Sequence, residues 1–163
     1  MAHSIIAPWR MDFIQRAHDG LEGECVFCAS QKASDAREAL VLYKGKSVFV
    51  VMNKYPYTNG HLLIIPNRHL AELSELNADE QQEILSLSAK SIEILRENFK
   101  AAGFNCGFNF GRAAGAGILD HLHFHIVPRW VGDTNFLPVL SDIRTMPEYL
   151  HDTYDRLLPA FQK

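Results

Sequence analysis

The chain has 163 residues, of which 47% are hydrophobic and 21% charged, and its formal net charge at pH 7 is -3. This length suits one compact domain with a hydrophobic core and is too short for two ordinary domains. The acidic balance argues against a nucleic-acid-binding surface, and no apolar run approaches the roughly 18 residues that a membrane span requires.

The N-terminal segment, residues 1–24, is predicted to be an irregular arm. It lacks the charged start and the long apolar stretch of a signal peptide, so we expect a cytoplasmic protein. Of the three cysteines, Cys25 and Cys28 form a Cys-x-x-Cys pair. Three cysteines do not make a disulfide framework, which indicates a reducing compartment. The pair itself indicates either a metal-binding site or a redox dithiol. We expect Cys106 to be a small core residue.

Apolar and β-branched runs at residues 39–43 and 47–53 flank Lys44-Gly45-Lys46 and predict a β-hairpin. A third strand is predicted at residues 61–65 and ends at Pro66. Asn77 and Glu80 have the spacing of a capping box and predict the start of a long helix, which we expect to stop at Gly103. The apolar stripe predicted for this helix consists of Leu85, Ile92, Leu95 and Phe99.

A fourth strand is predicted at residues 106–110, a glycine-rich turn at residues 111–117, and a fifth strand at residues 122–127. A last helix is predicted at residues 147–158, with Pro147 in its first turn. Strands joined by hairpins, with one long helix between them, predict an α+β fold with an antiparallel sheet of about five strands. We expect a single domain over residues 1–163, with an arm at 1–24, a core at 24–130 and a C-terminal extension at 131–163.

The most informative stretch of the sequence runs from His121 to Trp130, because its first five residues alternate histidine with an apolar residue. On a strand, His121, His123 and His125 would share one face, and the intervening side chains would pack in the core. A neutral imidazole attacks phosphorus well near pH 7 when an acceptor holds its other nitrogen. His123, central in the triplet, is the predicted nucleophile, and His125 is predicted to bind phosphate oxygens.

The glycine-rich turn directly precedes the histidines. Small residues let backbone N–H groups approach a phosphate closely, so Gly115, Ala116 and Gly117 are candidates for a phosphate cradle, with Asn109 as a further uncharged donor. His61 begins an apolar strand and is predicted to be a hydrogen-bonded structural histidine, outside the catalytic set.

Together these residues resemble the histidine-triad family of nucleotide hydrolases and transferases, whose signature is His-x-His-x-His-x-x with apolar x. Residues 24–130 follow the family order, from Asn53 through Gly60-His61 and the long helix to the triplet. Both flanks, Ala7-Pro8-Trp9-Arg10-Met11 and the segment from Pro128 to Phe136, are similar to the bacterial branch that cleaves diadenosine tetraphosphate by phosphorolysis.

The resemblance implies that His123 carries the nucleotidyl group and that His125 and Asn109 contact phosphates. It also implies that Asn53 contacts the ribose and that Trp130 packs against a base or a loop. It also implies a homo-oligomer, a dimer or tetramer, with a nucleotide and orthophosphate as partners. The acidic balance and the short apolar runs noted above predict no nucleic-acid and no membrane partner. This chain departs from the family at Gly117 and Ile118, where relatives carry a Gln and a Ser, so side-chain donors to the leaving group are fewer.

A tetrahedral zinc site needs two ligands besides Cys25 and Cys28. The resemblance implies that these are His69 and His121, which would make the zinc structural and remove His121 from the chemistry. Buried free thiols and a redox dithiol remain alternatives. The sequence leaves open whether Mg²⁺ accompanies the substrate.

Three other functions compete with phosphorolysis. The first is hydrolysis of dinucleoside polyphosphates or nucleoside phosphoramidates, with water as the acceptor. The second is a metal-dependent enzyme that gathers His121, His123 and His125 around one catalytic ion. The third is a nucleotide-binding module without catalysis.

Overall fold

The computed structural model describes residues 24–133 and 146–163. Residues 1–23 of the predicted arm and residues 134–145 of the predicted C-terminal extension lie outside these ranges. The helices are α1 (Val26–Lys32), α2 (Ala78–Phe99) and α3 (Leu150–Phe161), and the strands are β1 (Val41–Lys44), β2 (Val48–Met52), β3 (Leu62–Pro66), β4 (Gly103–Phe108) and β5 (Phe124–Arg129). Short 3-10 turns occur at Leu73–Glu75 and Arg112–Ala114.

All five strands form one antiparallel sheet in the order β1-β2-β3-β5-β4. The predicted hairpin and the α+β class are therefore confirmed. Strands β2 and β3 are buried along their whole length, and α2 packs on both of them, while α3 packs on β1 and on α2. Within the described ranges, no helix combines the length and the apolar character needed to cross a membrane.

Helix α2 begins with the predicted capping box. The Asn77 side chain accepts from the Glu80 backbone N–H, and the Glu80 carboxylate accepts from the Asn77 N–H. The predicted stripe is wrong at Leu85, which is 67% exposed. The prediction is confirmed at Leu95, which is fully buried, and Ile92 and Phe99 pack partly buried against the core. The buried residues of the helix are Glu80, Ile84, Leu87, Ser88, Ser91, Ile94 and Leu95.

Gly103 does not end helix α2 as predicted. The helix ends at Phe99, and Lys100 adopts the left-handed conformation with φ 53° that commonly terminates a helix. The carbonyl of Phe99, one of the last four without a helical partner, accepts a hydrogen bond of 3.0 Å from the Trp130 indole N–H. Because the helix ends early, Gly103 is free to start β4, three residues before the predicted strand.

Strand β5 also starts later than predicted and extends through Pro128 to Arg129. The preceding segment bonds elsewhere, since the Leu122 N–H donates to the Leu70 carbonyl rather than to a sheet neighbour. Pro128 is tolerated in the strand because the pairing of β5 with β3 ends at Ile126, so no β3 residue requires an N–H from it. Its carbonyl accepts from the Thr58 hydroxyl.

Two further predictions are corrected at the periphery. Helix α3 begins at Leu150, so Pro147 precedes it instead of occupying its first turn. Its position is set by the side chains that it buries, which are Thr153, Tyr154, Leu157 and Phe161. Cys106 is exposed and not in the core, because β4 is the edge of the sheet.

The buried Glu80 carboxylate is expected to stabilise the start of α2. It accepts two hydrogen bonds from the Arg68 guanidinium, of 2.8 and 2.7 Å, besides the one from Asn77. We expect Glu80→Gln to lower the free energy of unfolding by about 1.5–3 kcal/mol at pH 7, because bonds to a charged acceptor are lost. Urea unfolding measures this, and Glu93→Gln on the exposed face of α2 should change stability by less than about 0.5 kcal/mol.

The same contribution should depend on pH. Arg68 holds the pKa of Glu80 below its ordinary value, so the stabilisation is complete above the pKa of the unfolded chain, near 4.3. It is lost as the pH falls through the lower pKa of the folded protein. A difference between wild type and Glu80→Gln that grows below pH 4 would contradict this assignment.

Candidate active site and metal cluster

The orientation of the His123 ring is set by the backbone just before β5. Its Nδ1 lies 2.8 Å from the carbonyl oxygen of His121, which can only accept, so Nδ1 carries the proton and Nε2 has a bare lone pair. The ring is buried between Phe27 and His125, with centroid distances of 5.1 and 4.9 Å. Burial lowers the pKa of His123. The His121 carbonyl is thus an acceptor of the kind that a nucleophilic imidazole needs at its second nitrogen.

A chain of hydrogen bonds determines the protonation of His125. The Asn53 side-chain oxygen accepts from the Tyr55 N–H at 2.9 Å, so the Asn53 amide nitrogen faces Nδ1 of His61 at 3.2 Å. The Tyr57 N–H also points at this atom, at 3.1 Å. With two donors at Nδ1, His61 carries its proton on Nε2 and donates it to Nδ1 of His125 at 2.9 Å. His125 therefore carries its own proton on Nε2.

His125 is thus a neutral hydrogen-bond donor on the open side of the site. Burial, assisted by the neighbouring His123, lowers the pKa of His125 to about 4, so the ring stays uncharged at pH 7. Its Nε2 lies 3.4 Å from the Asn109 amide nitrogen. Two donors that converge without an acceptor between them suit a phosphate oxygen. The Tyr57 ring stacks on His125 at an interplanar angle of 14°.

His61 belongs to the site through its hydrogen bond to His125. The prediction that it is a hydrogen-bonded buried histidine is confirmed, since it is 1% exposed and bonded at both nitrogens. Its partner is nevertheless His125, which joins it to the site. The backbone just before His61 requires a glycine at position 60. Gly60 has a φ of 74°, and an added Cβ would lie 3.1 Å from the Leu95 side chain.

The four predicted metal ligands come together. The ligand atoms of Cys25, Cys28, His69 and His121 lie within 4.8 Å of one another. Nδ1 of His121 is 3.3 and 3.6 Å from the two sulfurs, and Nδ1 of His69 is 3.5 Å from the Cys28 sulfur. A tetrahedral Zn²⁺ with bonds of about 2.0–2.3 Å separates its ligands by similar distances.

The surroundings of this cluster orient its histidines as ligands. Nε2 of His121 donates to the Pro66 carbonyl at 2.9 Å, which leaves Nδ1 unprotonated toward the sulfurs. Nε2 of His69 faces the Asp120 carboxylate at 3.9 Å. Histidine ligands of metals typically donate their second N–H to such acceptors. The two thiols and two imidazoles therefore fit a closed, structural metal site.

The metal cluster and the predicted nucleophile adjoin each other. Phe27 lies between the two cysteines in sequence, and its ring packs against both His121 and His123. The His121 backbone carbonyl holds His123 while its ring faces the sulfurs. One catalytic ion shared by the three triplet histidines does not fit this arrangement, because Nδ1 of His121 and of His123 face different partners. The described residues place His121 in the metal group and the other two outside it.

Comparison with known proteins identifies the family. The model of the HIT domain family matches residues 35–131. The chain belongs to this family. It is 36% identical over 152 residues to a protein named AP-4-A phosphorylase from Mycobacterium tuberculosis, with 90% of this chain and 77% of the relative covered. The predicted resemblance to the histidine triad and to its diadenosine tetraphosphate phosphorylase branch is thereby confirmed.

Solved structures support the fold of this HIT protein. A Zn-bound histidine triad family protein from Mycobacterium smegmatis matches with a TM-score of 0.66 and 28% identity, covering 85% of this chain and 94% of that chain. A hypothetical histidine triad nucleotide-binding protein from Sulfolobus tokodaii matches with a TM-score of 0.64 and 27% identity, covering 85% and 89%.

The glycine-rich turn of this HIT protein uses backbone N–H groups for hydrogen bonds within the turn. Gly111 and Gly115 have φ values of 74° and 85°, which explains the glycines at these positions. The N–H groups of Gly115 and Ala116 donate to carbonyls within the turn, at 3.0 and 3.2 Å. A phosphate would have to compete with these bonds, so the cradle expected from these two N–H groups is not preformed. Gly117 follows the turn and is exposed.

The remaining predicted substrate residues lie on two sides of His125. The Asn53 side chain is hydrogen-bonded to His61 and to the Tyr55 N–H. If Asn53 also contacts the ribose, as predicted, the same side chain would both orient His61 and bind substrate. Trp130, at the end of β5, borders an open cleft that also includes His125 and Asn109. Their roles toward a substrate stay predictions.

Replacing His61 should impair catalysis through His125. We expect His61→Phe to lower kcat/KM by about 10- to 100-fold, because Nδ1 of His125 loses its donor and the Nε2 proton is no longer imposed. His61→Gln retains an amide donor and should recover part of the loss. Steady-state kinetics on both variants, with thermal unfolding to verify the fold, measure this. Equal losses in the two variants would show that His61 only fills space.

Proposed function

We propose that this HIT protein cleaves diadenosine tetraphosphate by phosphorolysis, giving ATP and ADP through a covalent adenylyl-histidine on His123. The observation that carries the proposal is the bare Nε2 of His123, held by its Nδ1 hydrogen bond and placed beside the neutral donor His125. The likeness to a relative named AP-4-A phosphorylase supports the choice of substrate.

In the first step, Nε2 of His123 attacks the α-phosphorus of one adenylyl group. The new P–N bond forms as the bond to the bridging oxygen breaks, and ATP leaves with that electron pair. The imidazole becomes positively charged, and its Nδ1–H donates more strongly to the His121 carbonyl. The Nε2–H of His125 and the amide of Asn109 donate to phosphate oxygens as charge develops on them.

In the second step, an oxygen of orthophosphate attacks the same phosphorus and the P–N bond breaks. The electron pair returns to Nε2 of His123, which regains its neutral form, and ADP is released. Asn53 is assigned to the ribose, and Gly115, Ala116, Gly117 and Trp130 to the rest of the substrate.

The Cys25, Cys28, His69 and His121 cluster is assigned to structural zinc. Its closed ligand set leaves no position for a substrate oxygen, so the ion would supply folding energy and not Lewis-acid chemistry. Mg²⁺ is assigned only as a counter-ion that arrives with the polyphosphate.

The proposal extends to the setting of the enzyme. It would act in the cytoplasm, where free thiols such as those of Cys25 and Cys28 persist. It would form a homo-oligomer, for which the outer edge of β4 offers an unpaired strand in the described part of the sheet. Its partners would be the nucleotide and orthophosphate, with neither nucleic acid nor membrane.

The decisive experiment identifies the products with and without orthophosphate. The protein is incubated with diadenosine tetraphosphate and ¹⁸O-labelled orthophosphate, and the nucleotides are analysed by mass spectrometry. We expect ATP and ADP, with the label in the β-phosphate of ADP and little turnover when orthophosphate is omitted. Formation of AMP and ATP at the same rate without orthophosphate would instead establish the hydrolase.

A further inference from the structure

One aromatic ring lies against both imidazoles of the His61–His125 pair. The Tyr57 ring stacks on His125 with a centroid distance of 5.9 Å and an interplanar angle of 14°, and its centroid is 4.7 Å from that of His61. The two imidazole centroids are 5.1 Å apart, so the three rings contact one another pairwise. Such distances are typical of offset and tilted aromatic pairs. Tyr57 therefore packs on both partners of the hydrogen bond from His61 to His125.

Hydrogen bonds of the loop fix the position of the Tyr57 ring. The Thr58 hydroxyl donates to the Pro128 carbonyl at 2.9 Å, which ties the loop to the end of β5. The His61 N–H donates to the Thr58 carbonyl at 3.2 Å, and the Tyr57 N–H donates to Nδ1 of His61 at 3.1 Å. None of these bonds uses the Tyr57 side chain, so a substitution at position 57 changes the ring and leaves the donors to His61 in place.

We propose that Tyr57 is a positioning residue, whose ring excludes water from the His61–His125 hydrogen bond and so preserves His125 as a neutral donor on Nε2. The catalytic part of this inference rests on the proposed function, in which that donor serves a phosphate oxygen. Water at Nδ1 of His125 would compete with the Nε2–H of His61, which fixes the tautomer of His125. A hydrogen bond shielded from water is also electrostatically stronger than one in contact with it.

Two effects of the ring on the charge of His125 oppose each other. The face of an aromatic ring attracts a cation and would favour the imidazolium, whereas exclusion of water disfavours it. The pKa of His125 is lowered to about 4, with burial as the main cause, so the exclusion of water prevails. Tyr57 and His125 line the same cleft. Removal of the Tyr57 ring should therefore expose the imidazole to water from that cleft.

The groups around His125 leave burial as the main influence on its charge. Among the described residues, the titratable side chains in contact with His125 are His123 on the same strand, His61 and Tyr57. Strand β4 places Gly107 opposite His125 in the sheet. Each carboxylate that lines the cleft is held by a guanidinium. The titratable groups of the cleft beyond these contacts are the pairs Arg129–Asp133 and Arg156–Glu148 and the thiol of Cys106.

The test follows the imidazole nitrogens of His125 by ¹⁵N NMR in the protein without substrate. In wild type we expect Nε2 to carry the proton at pH 7 and the pKa of His125 to be about 4. Tyr57→Ala should populate both tautomers and raise this pKa to about 5 or higher, toward its ordinary value, because water then reaches the ring. Tyr57→Phe retains the aromatic ring and should match wild type.

Two further variants complete the comparison. Tyr57→Leu retains an apolar side chain and should raise the pKa of His125 by less than alanine does, and it keeps the test falsifiable if Tyr57→Ala does not fold. Tyr149→Ala is the matched control, because it removes an aromatic side chain that is 83% exposed and should leave His125 unchanged. Thermal unfolding verifies the fold of each variant.

Steady-state kinetics provide the catalytic readout. We expect Tyr57→Ala to lower kcat/KM for diadenosine tetraphosphate by about tenfold, mainly through kcat, and Tyr57→Phe to retain most of the activity. An unchanged tautomer and pKa of His125 in Tyr57→Ala would overturn the inference, and so would an equal change in Tyr57→Phe. A wild-type protein that does not cleave diadenosine tetraphosphate would contradict the proposed function, and the NMR comparison would still decide on the role of the ring.

Discussion

Replacing His123 with alanine should lower the cleavage of diadenosine tetraphosphate by about four orders of magnitude or more, which is the scale of losing a nucleophile. No other described side chain is placed to substitute for it, because Nδ1 of His125 is bonded to His61 and its Nε2 carries the proton. The fold should survive, since the ring contributes one backbone hydrogen bond and packing against Phe27.

Rapid quenching followed by mass spectrometry measures the same prediction directly. Wild-type protein mixed with diadenosine tetraphosphate in the absence of orthophosphate should gain one adenylyl group on His123, and His123→Ala should gain none. His151→Ala is the control, because this histidine is on the surface of α3 and pairs with Arg37 and Glu38. Substantial turnover by folded His123→Ala would favour a site without covalent catalysis, and full nucleotide binding without any turnover in wild type would favour the binding module.

The histidine triplet could be understood from the sequence because its information is local. Alternation with a period of two assigns Leu122 and Ile126 to the core, and both are buried. What the pattern could not show is where the strand begins. That boundary depends on the bond from Leu122 to Leu70, a contact between segments that are distant in sequence.

His61 shows the complementary case. A single histidine ahead of an apolar strand carries no pattern, and its partner His125 is 64 residues away. The two rings meet because β3 and β5 are neighbours in the register Leu63 to His125. Strand order and register are properties of the whole sheet, so only the structure could add His61 to the site.

The errors at Leu85 and Cys106 have a similar origin. Both are apolar residues, but their burial depends on which neighbouring elements pack against them and not on their hydrophobicity alone. Leu85 is one position from the buried stripe of α2, and Cys106 is on the edge strand. The Cys-x-x-Cys spacing predicted half of the cysteine–histidine cluster, whereas His69 and His121 were implied only by the family resemblance.

Disrupting the proposed zinc site should affect both stability and catalysis, because the Cys25, Cys28, His69 and His121 cluster supports the segment that holds His123. Cys25 and Cys28 flank Phe27, which packs on the His123 ring, and the ligand His121 supplies the carbonyl that binds its Nδ1. Without an ion, nothing would hold the four side chains together. The free-energy cost of removing the buried His121 ring from water would then not be offset by a metal bond.

We therefore expect Cys28→Ser to reduce bound zinc from one ion per chain to a small fraction, to lower the melting temperature by about 10 °C, and to lower kcat by at least about tenfold. Cys106→Ser is the matched control, since it removes an exposed thiol outside the cluster and should retain metal, stability and rate. Elemental analysis, thermal unfolding and single-turnover adenylylation provide the three readouts. A metal-free wild-type protein with full activity would contradict the assignment, and so would a Cys28→Ser variant indistinguishable from Cys106→Ser. Because zinc binding and thermal unfolding are measured without substrate, the role of this cluster can be decided even if the acceptor in the second step proves to be water.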